Sequence, residues 1–492
     1  MLFNSFEFLL FFPIVTIIYF LLPYRFRWFH LLAASCVFYM AFIPIYIVIL
    51  FSTIVIDYIA GVLIEDAVGN RKRLLLSMSI VANVGVLAIF KYYNFIALNI
   101  NELIHFGTSS VSLPLLSIIL PIGLSFHTFQ AMSYTIEVYR GNQKAERHFG
   151  IYSLYVMFYP QLVAGPIERP QNMLHQFHEK YDFNFDECKE GLKIMIWGLF
   201  KKIVIADRLA LIVNSVYKHP ENYSGPSILI AVIFFSFQIY CDFSGYSDIA
   251  IGSARVMGFK LMQNFDNPYS SKSMAEFWTR WHISLSTWFK DYLYIPLGGN
   301  RVSKAKVYRN LAIVFVVSGL WHGASWTFII WGAIHAFFLI FGLFTKQWRI
   351  NILSTIGIKE KSKVNHAMSV ITTFILATFA WIFFRAATFH DAVYIITHLS
   401  NGLSKLTSIS GVKSVFAEVG GNDVIYGVFN VVTGVFVILL LTVLQKKFHY
   451  NSVSTVVAHK PLILRWGFYI LLIVAILLLG VYEEQEFIYF QF

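Results

Sequence analysis

Apolar residues fall along this chain in long unbroken runs, and polar residues gather in the short gaps between them. Twelve such runs lie at 5–22, 28–46, 47–65, 74–98, 116–134, 190–215, 226–247, 310–323, 326–344, 366–384, 424–445 and 464–482. Most approach the roughly 20 residues that a helix needs to cross a bilayer. Inside lipid every backbone N–H and C=O must be satisfied within the segment, so each run is expected to be helix. The pattern therefore predicts an all-α polytopic membrane protein of about twelve spans. A further apolar run, 150–164, contains Pro160 and leads into Gly165-Pro166, and is expected to be re-entrant or interfacial. The Ser- and Gly-bearing stretch Leu403–Asp423 reads as an outer loop. No soluble domain, low-complexity linker or internal repeat interrupts the runs. One integral-membrane domain, 1–492, is expected, with residues 483–492 as a C-terminal tail.

Composition agrees with this reading. The 492 residues are 57% hydrophobic and only 13% charged, which excludes an ordinary soluble domain. The 49 Phe and 27 Tyr suit lipid-facing surfaces and interfacial belts. With 38 basic and 27 acidic residues the net charge is +11, which in a soluble protein points to nucleic acid. Here the basic residues sit in the gaps: Arg25 and Arg27, Arg71 to Arg73, Arg140 to Arg147, the segments 259–309 and 345–365, then Lys446, Lys447, Lys460 and Arg465. With twelve spans all of these fall on one side, which the positive-inside rule makes cytoplasmic. Both termini then lie outside, and Tyr489, after the acidic Glu483, Glu484 and Glu486, faces away from the basic loops. The same charges could also bind an anionic cytoplasmic substrate. Cys36, Cys188 and Cys241 are scattered, with neither metal-ligand spacing nor a disulfide framework. The first run lacks a basic n-region and a small-residue cleavage site, so it reads as a retained span.

Candidate chemistry stands out because ionisable groups are costly at membrane depth and are usually functional. His322 sits in Gly319-Leu-Trp-His-Gly-Ala-Ser-Trp326, where one apolar run gives way to the next. Small neighbours there let other groups approach the backbone, and a general base at the bottom of a protein-lined cavity would fit. A packed histidine bonded to a carbonyl is the plainer reading, and it is the one favoured for His335. His282 lies in a stretch too polar to span and too aromatic for a free loop, with Trp278, Arg280, Trp281, Trp288, Lys290 and Tyr292 nearby. That stretch reads as helices in or near the inner interface. It serves either as a membrane anchor or as a surface where Arg280 and Lys290 meet a phosphorylated acyl carrier such as coenzyme A. Asp242 and Asp248 suggest capping and pairing with basic groups more than a metal site. Asn264 to Tyr269 is a turn signal, and Glu168-Arg169 either lines a cavity or is solvated. Tyr489, in Phe487-Ile-Tyr-Phe-Gln-Phe492, is an aromatic-belt residue or a tail that folds back into an outer funnel.

Five stretches together resemble the membrane-bound O-acyltransferase family, in its branch that modifies bacterial cell-surface and secreted polymers. They are Met1-Leu-Phe-Asn-Ser5, Leu162-Val-Ala-Gly-Pro-Ile167, Asp242-Phe-Ser-Gly-Tyr-Ser-Asp-Ile249, Phe277-Trp-Thr-Arg-Trp-His-Ile-Ser-Leu-Ser-Thr-Trp288 and Gly319-Leu-Trp-His-Gly323. The resemblance implies a ring of helices around a thin floor pierced by a tunnel. It makes His322 the catalytic histidine, His282 the second histidine and Tyr489 the acyl-accepting tyrosine of an aromatic tail. It implies acetyl-CoA as donor, approached through Arg280, Lys290, Trp281 and Trp321, and no metal. It also implies an extracytoplasmic partner of the SGNH serine-hydrolase type and a polysaccharide, peptidoglycan or alginate-like, as final acceptor, in a bacterial cytoplasmic membrane. D-alanyl transfer to teichoic acid, a proton-coupled transporter using the histidines as a relay, and an export scaffold are the alternatives.

Overall fold

The computed structural model describes residues 1–492 except 107–111, 118–119, 164, 448–456, 458–459, 483–486 and 491–492. Ala164, the acidic Glu483, Glu484 and Glu486, and the final Gln491-Phe492 therefore lie outside the described residues. Among the described residues the regular structure is helical throughout, as expected of a chain whose backbone must satisfy itself in lipid. Every one of the twelve apolar runs contributes to a helix. Seven helices are long and apolar enough to cross a membrane, among them Gly69–Ile104, Gly225–Val256, Trp326–Phe344 and Lys363–Arg385. Phe6–Leu21 is apolar but has 16 residues. Other runs form helices that carry more polar residues, such as Leu124–Arg140, whose His127, Gln130, Thr135 and Glu137 are buried against protein.

Two boundaries differ from the sequence reading for local reasons. The run 116–134 becomes helix only at Leu124, because Pro121 and a left-handed Gly123 (φ +76°) end the irregular approach. A Cβ at Gly123 would come within 2.8 Å of the Leu162 carbonyl oxygen, so the position needs glycine twice over. The run 150–164 is split at Phe158 into Phe149–Met157 and Tyr159–Leu162, both buried. Pro160 sits in the first turn of the second, where its missing N–H costs nothing.

The chain packs as two compact units, one of residues 1–195 and 246–263, the other of 196–245 and 264–492. In the first, Asp57 is fully buried and accepts hydrogen bonds from Ser79 Oγ (2.6 Å) and Asn83 Nδ2 (2.8 Å). Ser79 Oγ also lies 3.1 Å from Thr135 Oγ1, so one polar network joins three helices. Glu168 is not solvated: it is buried and accepts the Met262 N–H, while its carbonyl takes the Tyr155 hydroxyl (3.0 Å).

The second unit is organised by the antiparallel pair Lys304–His322 and Trp326–Phe344. Glycines let their backbones touch. A Cβ on Gly319 would strike the Phe328 carbonyl, and one on Gly332 would strike that of Phe315. Ser325 starts the second helix by accepting the Thr327 N–H (3.3 Å). Near the start of the helix Gly225–Val256, Glu418 is held by Lys405 Nζ (2.6 Å), Ser227 Oγ (2.6 Å) and the hydroxyl and N–H of Ser224 (2.7 and 3.0 Å). Burial alone would push its carboxyl up, but these donors outweigh burial and hold it down from 4.5 to about 2.

Gly332→Ala should lower stability by about 1–3 kcal/mol, read as a lower Tm of the purified protein in detergent. Gly342→Ala is the control and should not, because a Cβ there meets nothing within 4 Å. The Glu418 contribution should be complete above the ordinary value of 4.5 and disappear as pH falls towards 2. Melting curves across that range should therefore show an acid-sensitive component that Glu418→Gln lacks.

Candidate active site

His322 is the last residue of the helix Lys304–His322, placed by the glycine-packed turn that follows it. It is buried, with the Trp331 ring 4.9 Å away edge-on and the Phe384 ring at 5.3 Å. Gly323 completes the turn because a Cβ there would enter the Phe328 ring.

His282 stands at the junction of two short helices, Met274–Arg280 and Ile283–Phe289, with a left-handed backbone (φ +44°). For a residue with a Cβ that conformation costs roughly 1–2 kcal/mol, so something must hold it. Asn264 does so. Its carbonyl accepts the Ile283 N–H (2.9 Å), and its side-chain Oδ1 accepts the Ser284 N–H (3.2 Å) and hydroxyl (2.9 Å). The same Oδ1 lies 3.1 Å from His282 Nδ1. The Ser284 N–H can only donate, which fixes Oδ1 and not Nδ2 on this side of the amide. The Nδ1 of His282 therefore carries the proton, and Nε2 is left as the lone-pair nitrogen.

The C-terminal segment comes to the same place. Leu479 and Val481 are fixed by Arg208 Nη2 donating to the Leu479 carbonyl (2.6 Å) and by the Val481 N–H on the Ile203 carbonyl (3.3 Å). Further on, Phe487 and Ile488 are buried and Ile488–Phe490 forms a single tight turn. The Tyr489 ring centre lies 5.6 Å from that of His322 and 6.3 Å from that of His282. Phe243 organises the trio, packing 4.4 Å from Tyr489 and 4.6 Å from His282. Beside it, Asp242 pairs with Lys202 (2.8 Å) and accepts the Ile488 N–H (2.7 Å). Pairing with a basic group is as the sequence suggests. Capping is not, since Asp242 lies inside the helix Gly225–Val256.

The four residues expected to meet the acyl carrier are dispersed. Trp321 joins the histidine site, its ring 6.1 Å from that of His282. Trp281 is buried in an aromatic stack with Phe277 and Trp381. Arg280 is engaged by Glu276 (2.8 Å) and Asp266 (3.5 Å). Lys290 is exposed and lines a half-open, largely apolar cavity of about 290 Å³. Ser286 of the helix after His282 and Ser318 of the helix ending in His322 line the same cavity. His335 accepts from the Trp278 indole N–H (3.4 Å) within an aromatic cage, a structural contact as expected. Sequence reasoning missed Asn264, Phe243 and Lys202. Only Lys202 carries a readable signal, a cation inside an apolar run that must find carboxylates.

Residues 148–389 match the family model described as MBOAT, membrane-bound O-acyltransferase family. Both histidines lie in that span; Tyr489 lies beyond it. A probable alginate O-acetylase of Pseudomonas aeruginosa is 40% identical over 391 residues, 78% of this chain and 72% of that one. A peptidoglycan O-acetyltransferase of Helicobacter pylori is 37% identical over 406 residues, 76% of this chain and 74% of that one. A teichoic acid D-alanyltransferase of Bacillus subtilis is 26% identical over 282 residues, 55% of this chain and 69% of that one.

The Asn264 contact has its own test. Nitrogen NMR of protein labelled in histidine should show His282 as the Nδ1–H tautomer. Asn264→Ala should remove that signature and cost about 1–3 kcal/mol of stability by orphaning buried donors.

Proposed function

The chain belongs to the membrane-bound O-acyltransferase family, and from that premise we propose that it moves an acetyl group from acetyl-CoA onto Tyr489 for delivery to a polysaccharide. The chain is an O-acyltransferase. The choice of acetyl follows the two relatives named for O-acetylation, 40% and 37% identical over 78% and 76% of this chain, over D-alanyl relatives at 32% and 26% that match 44% and 55% of it. The observation that carries the reading is the meeting of one terminal phenol with two buried imidazoles.

His322 takes the Tyr489 phenol proton as Oη attacks the thioester carbonyl. The C–O bond forms, the C–S bond breaks, and the departing thiolate receives the proton from the imidazolium. His282, held as its Nδ1–H tautomer by Asn264, assists at the same ring cluster. A phenol ionises near 10 and a thiol near 8.5, so the aryl ester keeps much of the transfer potential that an alkyl ester would lose. The cavity lined by Lys290 and by the two histidine-bearing segments suits a slender acyl arm with an anionic head outside.

The same reading sets the chain in a bacterial cytoplasmic membrane with both termini outside. Donor enters from the side of the basic loops. A separate extracytoplasmic enzyme of the SGNH serine-hydrolase type takes the acetyl from Tyr489 and esterifies a hydroxyl of peptidoglycan or an alginate-like polymer.

Mass spectrometry of the C-terminal peptide, from cells lacking that partner, should show one acetyl on Tyr489. Tyr489→Phe should abolish polymer acetylation in a chain that still folds and inserts. His322→Ala should slow acetyl transfer about 10²–10⁴-fold without loss of the folded protein. Wild-type acetylation in either variant would sink the relay.

A further inference from the structure

Nothing in the histidine cluster explains why the C-terminal segment stops where it does. Aromatic contacts alone would let it slide. Phe487, Tyr489 and Phe243 offer several near-equivalent stackings, with Phe487 5.6 Å from Tyr489 and 5.8 Å from Phe243. A directional contact breaks that degeneracy. Asp242 is 3% exposed, Ile488 is 2% exposed, and the Ile488 N–H donates to Asp242 Oδ2 at 2.7 Å. The other carboxylate oxygen is taken by Lys202 Nζ at 2.8 Å. Lys202 is itself buried in the π-helical segment Phe200–Ala206 and shared with Asp207 at 2.7 Å. Lys202 thus supplies Asp242 with a counter-charge and aims it, in a place where an unpaired buried charge would be costly.

We propose that Asp242 is a positioning residue, whose carboxylate, braced by Lys202, docks the C-terminal segment through the Ile488 N–H and so sets Tyr489 against the two histidines. The inference rests on the reading of Tyr489 as acyl acceptor. The bond is made to the backbone next to the reactive side chain, so it fixes the register of the tail at that point. Phe243, the next residue on the same helix, packs on both Tyr489 and His282, so one turn of helix holds the acceptor and a histidine together. The latch is also reversible. One charge-assisted hydrogen bond favours the docked state by something like ten- to a hundred-fold, enough to hold the tail but not to trap it. A carrier that must reload from one side and unload at another enzyme needs that balance.

The test uses the full-length chain in lipid nanodiscs and two isosteric variants. Asp242→Asn removes the charge that meets Ile488 and leaves Lys202 paired with Asp207. Asp207→Asn loosens the same ion cluster but touches no part of the tail. Hydrogen exchange of the C-terminal peptide should quicken about ten-fold in Asp242→Asn and stay as in the wild type in Asp207→Asn. Acetyl-Tyr489 formation should slow by a similar factor in Asp242→Asn, with an unchanged KM for acetyl-CoA. Wild-type tail exchange in Asp242→Asn, or equal deprotection in both variants, overturns the latch. If Asp242→Asn frees the tail while wild-type protein never acetylates Tyr489, the docking stands and the relay falls.

Discussion

A cation in an apolar interior must find its counter-charges, and the second unit is arranged around that demand. Lys202 sits between Asp207 and Asp242, with all three side chains buried. Removing one partner from such a group typically costs about 3–5 kcal/mol, because the remaining charge is stranded. The π-helical turn Phe200–Ala206 and the helix Gly225–Val256 are therefore pinned to one another at a definite level. Phe243 follows Asp242 by one residue, so the level of the ion cluster also fixes the level of the aromatic floor beneath His282 and Tyr489. The ion cluster sets geometry, and the rings around it set chemistry.

Those rings make an aromatic box. Trp321, Trp331, Phe384 and Phe243 supply walls with few hydrogen-bonding atoms, and His282, His322 and Tyr489 supply nearly all the polarity inside. In such surroundings a neutral imidazole and a neutral phenol are the comfortable forms. In the proposed relay, proton transfer between them would coincide with attack on the acyl carbon, and a site closed to water would protect the esters from hydrolysis.

Much of this was legible in the order of residues. Unbroken apolar runs announced helices, and the histidines betrayed themselves by standing where ionisable groups are expensive. The C-terminal aromatic segment could be read as a belt residue or as a tail that folds back, and the structure places the Tyr489 ring beside His322 and His282. Other features leave no periodic trace. Asn264 lies eighteen positions from His282 in a loop that reads simply as a turn, and only the paired segments 264–266 and 280–284 bring the two together. The start of the helix Leu124–Arg140 was hidden because apolar composition persists through Pro121 and Gly123, where dihedral preference overrides it. Glu168 could be read only as cavity-lining or solvated, since a charged pair in sequence carries no sign of the backbone N–H that waits for it.

The helical hairpin of Lys304–His322 and Trp326–Phe344 touches backbone to backbone at Gly319 and Gly332. Contacts of that sort have no flexible side chain to absorb a shift, so the pair moves as one rigid strut. Bilayers of differing thickness are accommodated by tilting or by deforming lipid. A strut without internal give would pass such a strain to its surroundings and hold His322, at its tip, steady. The enzyme's working geometry would then be insulated from the membrane's changing composition, a useful property where envelope lipids are remodelled with growth and temperature.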